Sequence, residues 1–185
     1  MILPDEKDGI GLAVGLVNTW DALHEPPERL YSVERLNILL RWFELDEVAD
    51  RAKPKDLDPV WKIRDRLRGA FDAQREEDAV ADLNALARDA GAVPQLEREN
   101  GGWAFRYGAG RRSVADELAG RSAVALLEVI EQGGWNRFGL CAASPCCCVY
   151  VDRSRNRSRR YCCELCADRA AQSHHRARLR GQGKS

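Results

Sequence analysis

The apolar positions of residues 1–136 recur with a helical period. Leu12, Leu16, Val17 and Trp20 share one face of a first predicted helix over residues 10–23, and Pro26-Pro27 then breaks the chain. Asn18-Thr19 interrupts that helix. Asn18 reads as a buried polar contact or as part of a ligand pocket, the former being the commoner fate of such a group. His24, beside the prolines, reads as a loop residue. Ser32 predicts an N-cap for a second helix with Leu36, Leu39, Leu40 and Phe43 on one face. Asp58-Pro59 predicts the start of a third, striped by Val60, Ile63, Leu67 and Phe71. A fourth runs from about Asp78 through Val80, Leu83, Leu86 and Ala87 to a stop at Gly91. The period then changes to two. Asn100-Gly101 is a tight-turn pair, and Trp103, Phe105 and Tyr107 alternate after it, so a hairpin is expected near residues 95–107. Ser113 opens a last apolar helix ending at Gly133-Gly134. The fold class expected is mainly α, with one small β-hairpin in the helical part.

Composition adds an asymmetry. The 185 residues are 44% hydrophobic and 31% charged, enough apolar surface for a real core. The formal net charge of zero conceals two opposed segments. Residues 137–185 carry 11 of the 29 Lys and Arg but only three acids, Asp152, Glu164 and Asp168, a net of +8. Residues 1–136 carry −8. All seven cysteines lie between Cys141 and Cys166. The chain thus divides into an acidic, cysteine-free body (1–136) and a basic, cysteine-rich tail (137–185). No apolar run is long enough to cross a membrane, and the first residues lack the cationic start of a secretory signal. A cytoplasmic protein with reduced thiols is expected, where clustered cysteines bind metal more often than they form disulfides.

The cysteines fall in two short-spaced pairs. Cys141 and Cys146 form C-x4-C, and Cys162 and Cys166 form C-x3-C, fifteen residues further on. Zinc takes four such ligands in a tetrahedron, with thiolate sulfurs at about 2.3 Å. Four thiolates leave no open position for water, so one structural zinc per chain is expected. Its binding supplies on the order of 10 kcal/mol to a module too small for its own core. Loss of the metal would then unfold the tail and leave the cysteine-free body folded. Cys147, Cys148 and Cys163 are surplus, and Cys147 or Cys148 is expected to face a small core, since both lead into the strand-like run Val149-Tyr150-Val151.

Between the pairs, five of the eight residues 153–160 are arginine: Arg153, Arg155, Arg157, Arg159 and Arg160. After Cys166 the chain turns helical and carries Arg169, His174, His175, Arg176, Arg178 and Arg180. Arginine forks suit phosphate oxygens. No acid interrupts residues 153–163, whereas a merely solvated face mixes both signs. Arg153, Arg155, Arg157, Arg159, Arg160, Arg169, Arg176 and Arg178 are therefore the candidate nucleic-acid contacts.

These residues reach a known pattern. Cys141-x4-Cys146, Val149-Tyr-Val-Asp152, Arg153-Ser-Arg-Asn156, Arg159-Arg-Tyr-Cys162 and Cys166-Ala-Asp-Arg169 closely resemble the CGNR zinc finger. Leu16-Val-Asn-Thr19, Leu39-Leu-Arg-Trp42 and Leu83-Asn84 stand where its usual N-terminal companion, the ABATE domain, carries similar segments. The resemblance covers roughly residues 10 to 180. It implies a stress-induced transcriptional regulator that binds DNA through the finger. The Gly-Asn pair of the family name is here Ala167-Asp168. An aspartate repels phosphate, so Asp168 is expected to cap a helix or brace an arginine, and neither residue is assigned a DNA contact.

The expected tail is a treble-clef-like finger: a short hairpin carrying the first cysteine pair and a helix starting near the second. The expected function is zinc-dependent binding of duplex DNA, with the body as a dimerisation module or the sensor of an unidentified small-molecule effector. The competing class is an RNA-binding or protein-interaction module whose tail docks an acidic partner, or this chain's own acidic body. No enzyme is expected, since HExxH, GxSxG and P-loop signatures are missing. Pro145-Cys146 matches the P-C of zinc deaminases, but Val149 stands where their next cysteine would fall, and no His-x-Glu occurs.

Overall fold

The computed structural model describes residues 3–99, 101–108 and 113–182. Its helices are α1 (Gly9–Val17), α2 (Val33–Trp42), α3 (Asp46–Arg51), α4 (Leu57–Asp72), α5 (Glu76–Asp89), α6 (Val114–Gly133) and α7 (Glu164–Gln182). Two antiparallel hairpins accompany them, β1 (Val93–Glu99) with β2 (Gly102–Gly108), and β3 (Phe138–Leu140) with β4 (Val149–Val151). None of the described helices is long and apolar enough to cross a membrane. The chain is mainly α with a small zinc-finger-like C-terminal unit.

The long helix α6 is the axis of the body and packs against α1, α4 and α5. Its first turn is closed by a capping box: Ser113 Oγ accepts from the Asp116 N–H, and the Asp116 carboxylate accepts from the Ser113 N–H. Small residues on its buried face, including Ala115, Ala119, Ala123 and Gly120, let its neighbours approach closely. Opposite them, a Cβ on Gly9 of α1 would lie 2.7 Å from the Cβ of Ala125. Val60, Leu67 and Phe71 of α4, with Leu83 and Leu86 of α5, bury the stripes read from the sequence, while Ile63 is only half-buried.

Several boundaries differ from the sequence reading. Helix α1 ends at Val17, not near residue 23, and Trp20 is 45% exposed. Polar pairing of the backbone wins over apolar spacing here. Arg29 N–H donates to the Thr19 carbonyl and Asp21 N–H to the Pro27 carbonyl. Buried Arg64 reaches out of α4 to Glu28 at 2.7 Å and Thr19 at 3.3 Å, which fixes this loop. Asp58 is not the cap of α4. The helix begins one residue earlier, and Asp58 lies in its first turn, 2.8 Å from Lys62. Helix α5 starts at Glu76, two residues before the expected position. The short α3 carries too few residues for its period to stand out. The β1–β2 hairpin forms with Glu99 opposite Gly102, and Gly101 takes a positive φ of 83°. Asn100 of the expected turn lies outside the described residues. Trp103 and Phe105 point outward, more than half exposed.

The tail is not a separate bead. Val149 and Val151 of β4 belong to the same buried core as α1 and α6, and Phe138 of β3 stacks on Phe71 of α4 with ring centroids 4.8 Å apart. The polar half of the joint is Asn18. Its amide donates to the Val149 carbonyl at 2.9 Å, and its Oδ1 accepts from the Val149 N–H at 2.8 Å. One side chain thus satisfies both backbone groups of a strand residue that would otherwise be orphaned. This shared core changes the expectation that the body is indifferent to the metal, because loosening the finger also strips apolar cover from α1. Asn18→Ala should orphan both Val149 groups and lower stability by about 2–6 kcal/mol, at about 1–3 kcal/mol per unpaired group, read from urea unfolding. Wild-type stability in this variant would show that water replaces the amide at no cost.

Candidate metal centre and nucleic-acid interface

The β3–β4 connection and the first turn of α7 bring the two cysteine pairs together. Cys141 follows β3, and its N–H donates to the Cys148 carbonyl at 2.9 Å, closing the loop that holds Cys146. Cys166 lies in the first turn of α7, with Cys162 just before that helix. The four sulfurs lie within 4.8 Å of one another. Cys146–Cys162 and Cys162–Cys166 separations are 3.7 and 3.6 Å. A tetrahedron with metal–sulfur bonds of about 2.3 Å has edges of about 3.8 Å, so the donor set fits zinc. Cys141, Cys146, Cys162 and Cys166 are thus positioned to hold one metal ion.

Electrostatics around the sulfurs follow from crowding. Burial and the neighbouring Cys162 push the Cys146 thiol well above its ordinary value, and burial with the same neighbour pushes Cys166 up to about 12. For Cys162 the leading cause is the adjacent Cys148 thiol, followed by burial. Cys141 goes the other way. Burial opposes its ionisation, but the N–H groups of Cys162 and Ala143 outweigh this and bring it down. A metal reverses the balance for the raised three, since it binds thiolates and expels their protons.

Of the surplus cysteines, Cys148 is buried beside the sulfur cluster, as expected of one of the pair. Cys147 is half-buried, and its backbone carbonyl accepts from Arg68 of α4. Cys163 is half-buried, its sulfur 3.9 Å from that of Cys162.

The arginine loop is held by residues that the sequence reading passed over. Asp152, buried at the end of β4, accepts from the N–H of Ser154 and the N–H of Arg159, both at 2.8 Å, and so staples the loop at its two ends. Burial works against its charge, but these hydrogen bonds and the nearby Arg137 dominate, leaving its carboxyl below the ordinary range. Tyr150 donates its hydroxyl to the Arg159 carbonyl at 2.6 Å, with its ring lying against Gly139 of β3, where a Cβ would clash. The signal for both residues was their place in Val149-Tyr-Val-Asp152, at the mouth of the loop.

The candidate arginines divide by partner. Arg153 pairs with Asp8 of the body at 2.7 Å. Arg159 folds inward, donating to the carbonyls of Tyr161 and Cys162 while its guanidinium lies over the Tyr150 ring. Arg155, Arg157 and Arg160 are exposed and form no ion pair with a described residue; the Arg157 guanidinium reaches Asn136 and that of Arg160 lies near the Tyr161 ring. Arg169 is exposed on α7, with one nitrogen 3.8 Å from the Cys166 sulfur, and Arg176 is exposed further along. The side chains of Arg178, Arg180, His174 and His175 lie outside the described residues. Asp168 is exposed on α7 and, at the helix's fifth position, does not cap it, nor does it pair with an arginine among the described residues. Of the body's acids, only Asp8 pairs with an arginine of the loop among the described residues.

Two family models match the chain. Residues 11–132 match ABATE, described as "Putative stress-induced transcription regulator", and residues 137–179 match the CGNR zinc finger. No curated protein matches it.

The site generates two expectations. Protein prepared under reducing conditions should carry one zinc per chain, and Cys162→Ser should lose it, as read by elemental analysis. Full zinc in a Cys141→Ser/Cys146→Ser double variant would instead bring Cys147 and Cys148 forward as ligands. Because the Asp152 carboxyl is held below its ordinary value, its contribution is complete above about pH 4 and is lost as the pH falls beneath that range. At pH 7, Asp152→Ala should loosen residues 153–159, seen as faster amide exchange at Ser154 and Arg159. Unchanged protection there would mean that zinc alone holds the loop.

Proposed function

The chain belongs to the ABATE family, and on that footing we propose that it is a zinc-stabilised regulator that binds duplex DNA through its C-terminal module. One observation carries the reading: a rigidly stapled loop presents Arg155, Arg157 and Arg160 to solvent with no acid among the described residues to neutralise them. Such a surface matches the charge of a phosphate backbone. Arg169 and Arg176 extend it along α7. Arg153 and Arg159 support the surface indirectly, one tying the loop to the body and the other holding its shape.

The metal, when bound, supplies no reaction chemistry; it draws the two cysteine pairs together. The residues do the rest. Asp152 and Tyr150 fix the loop, and Asn18 fixes the strand from which the loop springs. The body's excess acid acts as the complement of this arrangement. It discourages phosphate from the helical part and so directs a polyanion to the finger. The self-docking alternative receives little support, since Arg153–Asp8, the one such pair among the described residues, leaves the rest of the loop's charge outward.

With about five phosphate contacts, the logarithm of duplex affinity should fall against the logarithm of salt with a slope of about −4 to −5. Arg155→Ala or Arg160→Ala should each flatten the slope by about one, across all sequences alike. The test is a fluorescence-anisotropy titration of zinc-loaded full-length protein at several salt concentrations. Salt-insensitive binding, or none at low salt, would sink the reading.

A further inference from the structure

Helix α7 presents a ridge that phosphate binding alone does not use. Leu165, Arg169, Gln172 and Arg176 stand at i, i+4, i+7 and i+11 and therefore share one face. All four are exposed, and Leu165 is 64% exposed although it is apolar and sits in the first turn. The adjoining face, about 100° round, is spent on the metal centre: Cys166 and Ala170 are buried in one cluster with Ala143. Of the helix's two acids, Glu164 stands about 100° round from Leu165, whereas Asp168, three residues after Leu165 and four before Gln172, borders the ridge and is placed to accept from a cytosine amino group rather than to meet a phosphate.

Beyond Ala170, the described side chains of α7 bury nothing in this chain: Ala171, Gln172, Ser173 and Arg176 are all exposed. The exposed side chains of this stretch are therefore open to a partner. The four ridge residues have types that suit one such partner. In the major groove, arginine donates in pairs to guanine O6 and N7, glutamine pairs with adenine N6 and N7, and an apolar side chain meets the thymine methyl. The distance from Leu165 to Arg176 along the axis is about 16 Å, the rise of about five base pairs. Leu165 also borders the same open groove as Ser158 and Arg160, so the ridge begins where the arginine loop ends.

We infer that this ridge is the base-reading edge of the protein, entering the major groove of B-form DNA with Gln172 on an adenine and Leu165 against a thymine methyl, while the loop arginines straddle the adjoining phosphates. The inference rests on the duplex-binding role proposed above. Arg169 is the anchor of the edge: its contact with the Cys166 sulfur ties its position to the metal centre. An A-form RNA duplex is a poor fit, because its major groove is too narrow and deep for a helix.

The experiment is selection from a library of randomised DNA duplexes by zinc-loaded full-length protein, followed by titration of the enriched site, a scrambled duplex and an RNA duplex. Wild type should enrich a site with at least one fixed A·T pair and bind the RNA more weakly. Gln172→Ala should shrink the ratio of site to scrambled affinity about 5- to 100-fold, with preference relaxed at one base pair. Leu165→Ala should shrink it by a smaller factor at a different pair. Arg155→Ala should lower both affinities together. Both ridge side chains are exposed, so zinc content and unfolding midpoint should confirm intact variants. Unaltered preference in Gln172→Ala and Leu165→Ala overturns the base-reading edge and leaves phosphate binding standing. The same holds for a wild type that enriches no sequence, or that prefers the RNA duplex. A wild type that binds no duplex at low salt overturns both this edge and the proposed function.

Discussion

The convergence of four sulfurs on one point is the constraint from which the rest of the C-terminal unit follows. The tail's own buried cluster comprises Ala143, Cys166 and Ala170, with partly buried cysteines and Tyr161 around it. Such a cluster buries too little apolar surface to hold a hairpin, an arginine loop and a helix in register. Drawn together at tetrahedral spacing, the cysteines fix the end of β3, the start of β4 and the first turn of α7 at once. Without a cation the crowding resists ionisation of these sulfurs, as the raised values of Cys146, Cys162 and Cys166 express. The geometry is thus favourable chiefly for thiolates around a cation.

The second constraint is the joint with the body. A metal knuckle alone is a small object, free to pivot about its connection. Here three kinds of contact remove that freedom. Val149 and Val151 bury into the common core, Phe138 stacks on Phe71, and Asn18 pairs with both backbone groups of Val149. A half-buried amide in this position is directional where apolar packing is not, so it sets the register of β4 against α1. Asp8 adds to the same joint, capping α1 through the Gly11 N–H while its carboxylate holds Arg153. The finger's orientation relative to the body is consequently a property of the fold.

Much of this was legible in the sequence, for physical reasons that differ by element. Long amphipathic helices declare themselves: the stripes of α2, α4, α5 and the opening cap of α6 are found where the period placed them. Cysteine spacing declares the metal centre, because two short pairs leave few other geometries. Trp20 misled because its spacing from Leu16 suits a helix, whereas the ion pair of buried Arg64 with half-buried Glu28, distant in sequence, decides the path after Val17. The joint was illegible for the same reason. Asn18 and Val149 are 131 residues apart, and no local pattern marks an amide that will cap a strand. Asp152 was counted as one of three acids diluting a basic tail, yet it is the residue that gives the loop its shape.

That inversion bears on how charge is used in the molecule. A run of five arginines in eight residues repels itself, and left alone it would extend into solvent. Two of the five are withdrawn from that repulsion by specific partners, Arg153 by Asp8 and Arg159 by carbonyls and the Tyr150 ring. Asp152 closes the turn through its hydrogen bonds while the nearby Arg137 balances its charge. Arg155, Arg157 and Arg160 are left pointing outward from a backbone that is already ordered. Ordering a flexible arginine segment at the moment of binding costs conformational entropy for every residue fixed. A loop ordered in advance by one carboxylate, one phenol and a metal centre avoids most of that cost. The same three supports that make the loop a stable part of the fold therefore also make its three free arginines a surface prepared for an anionic partner.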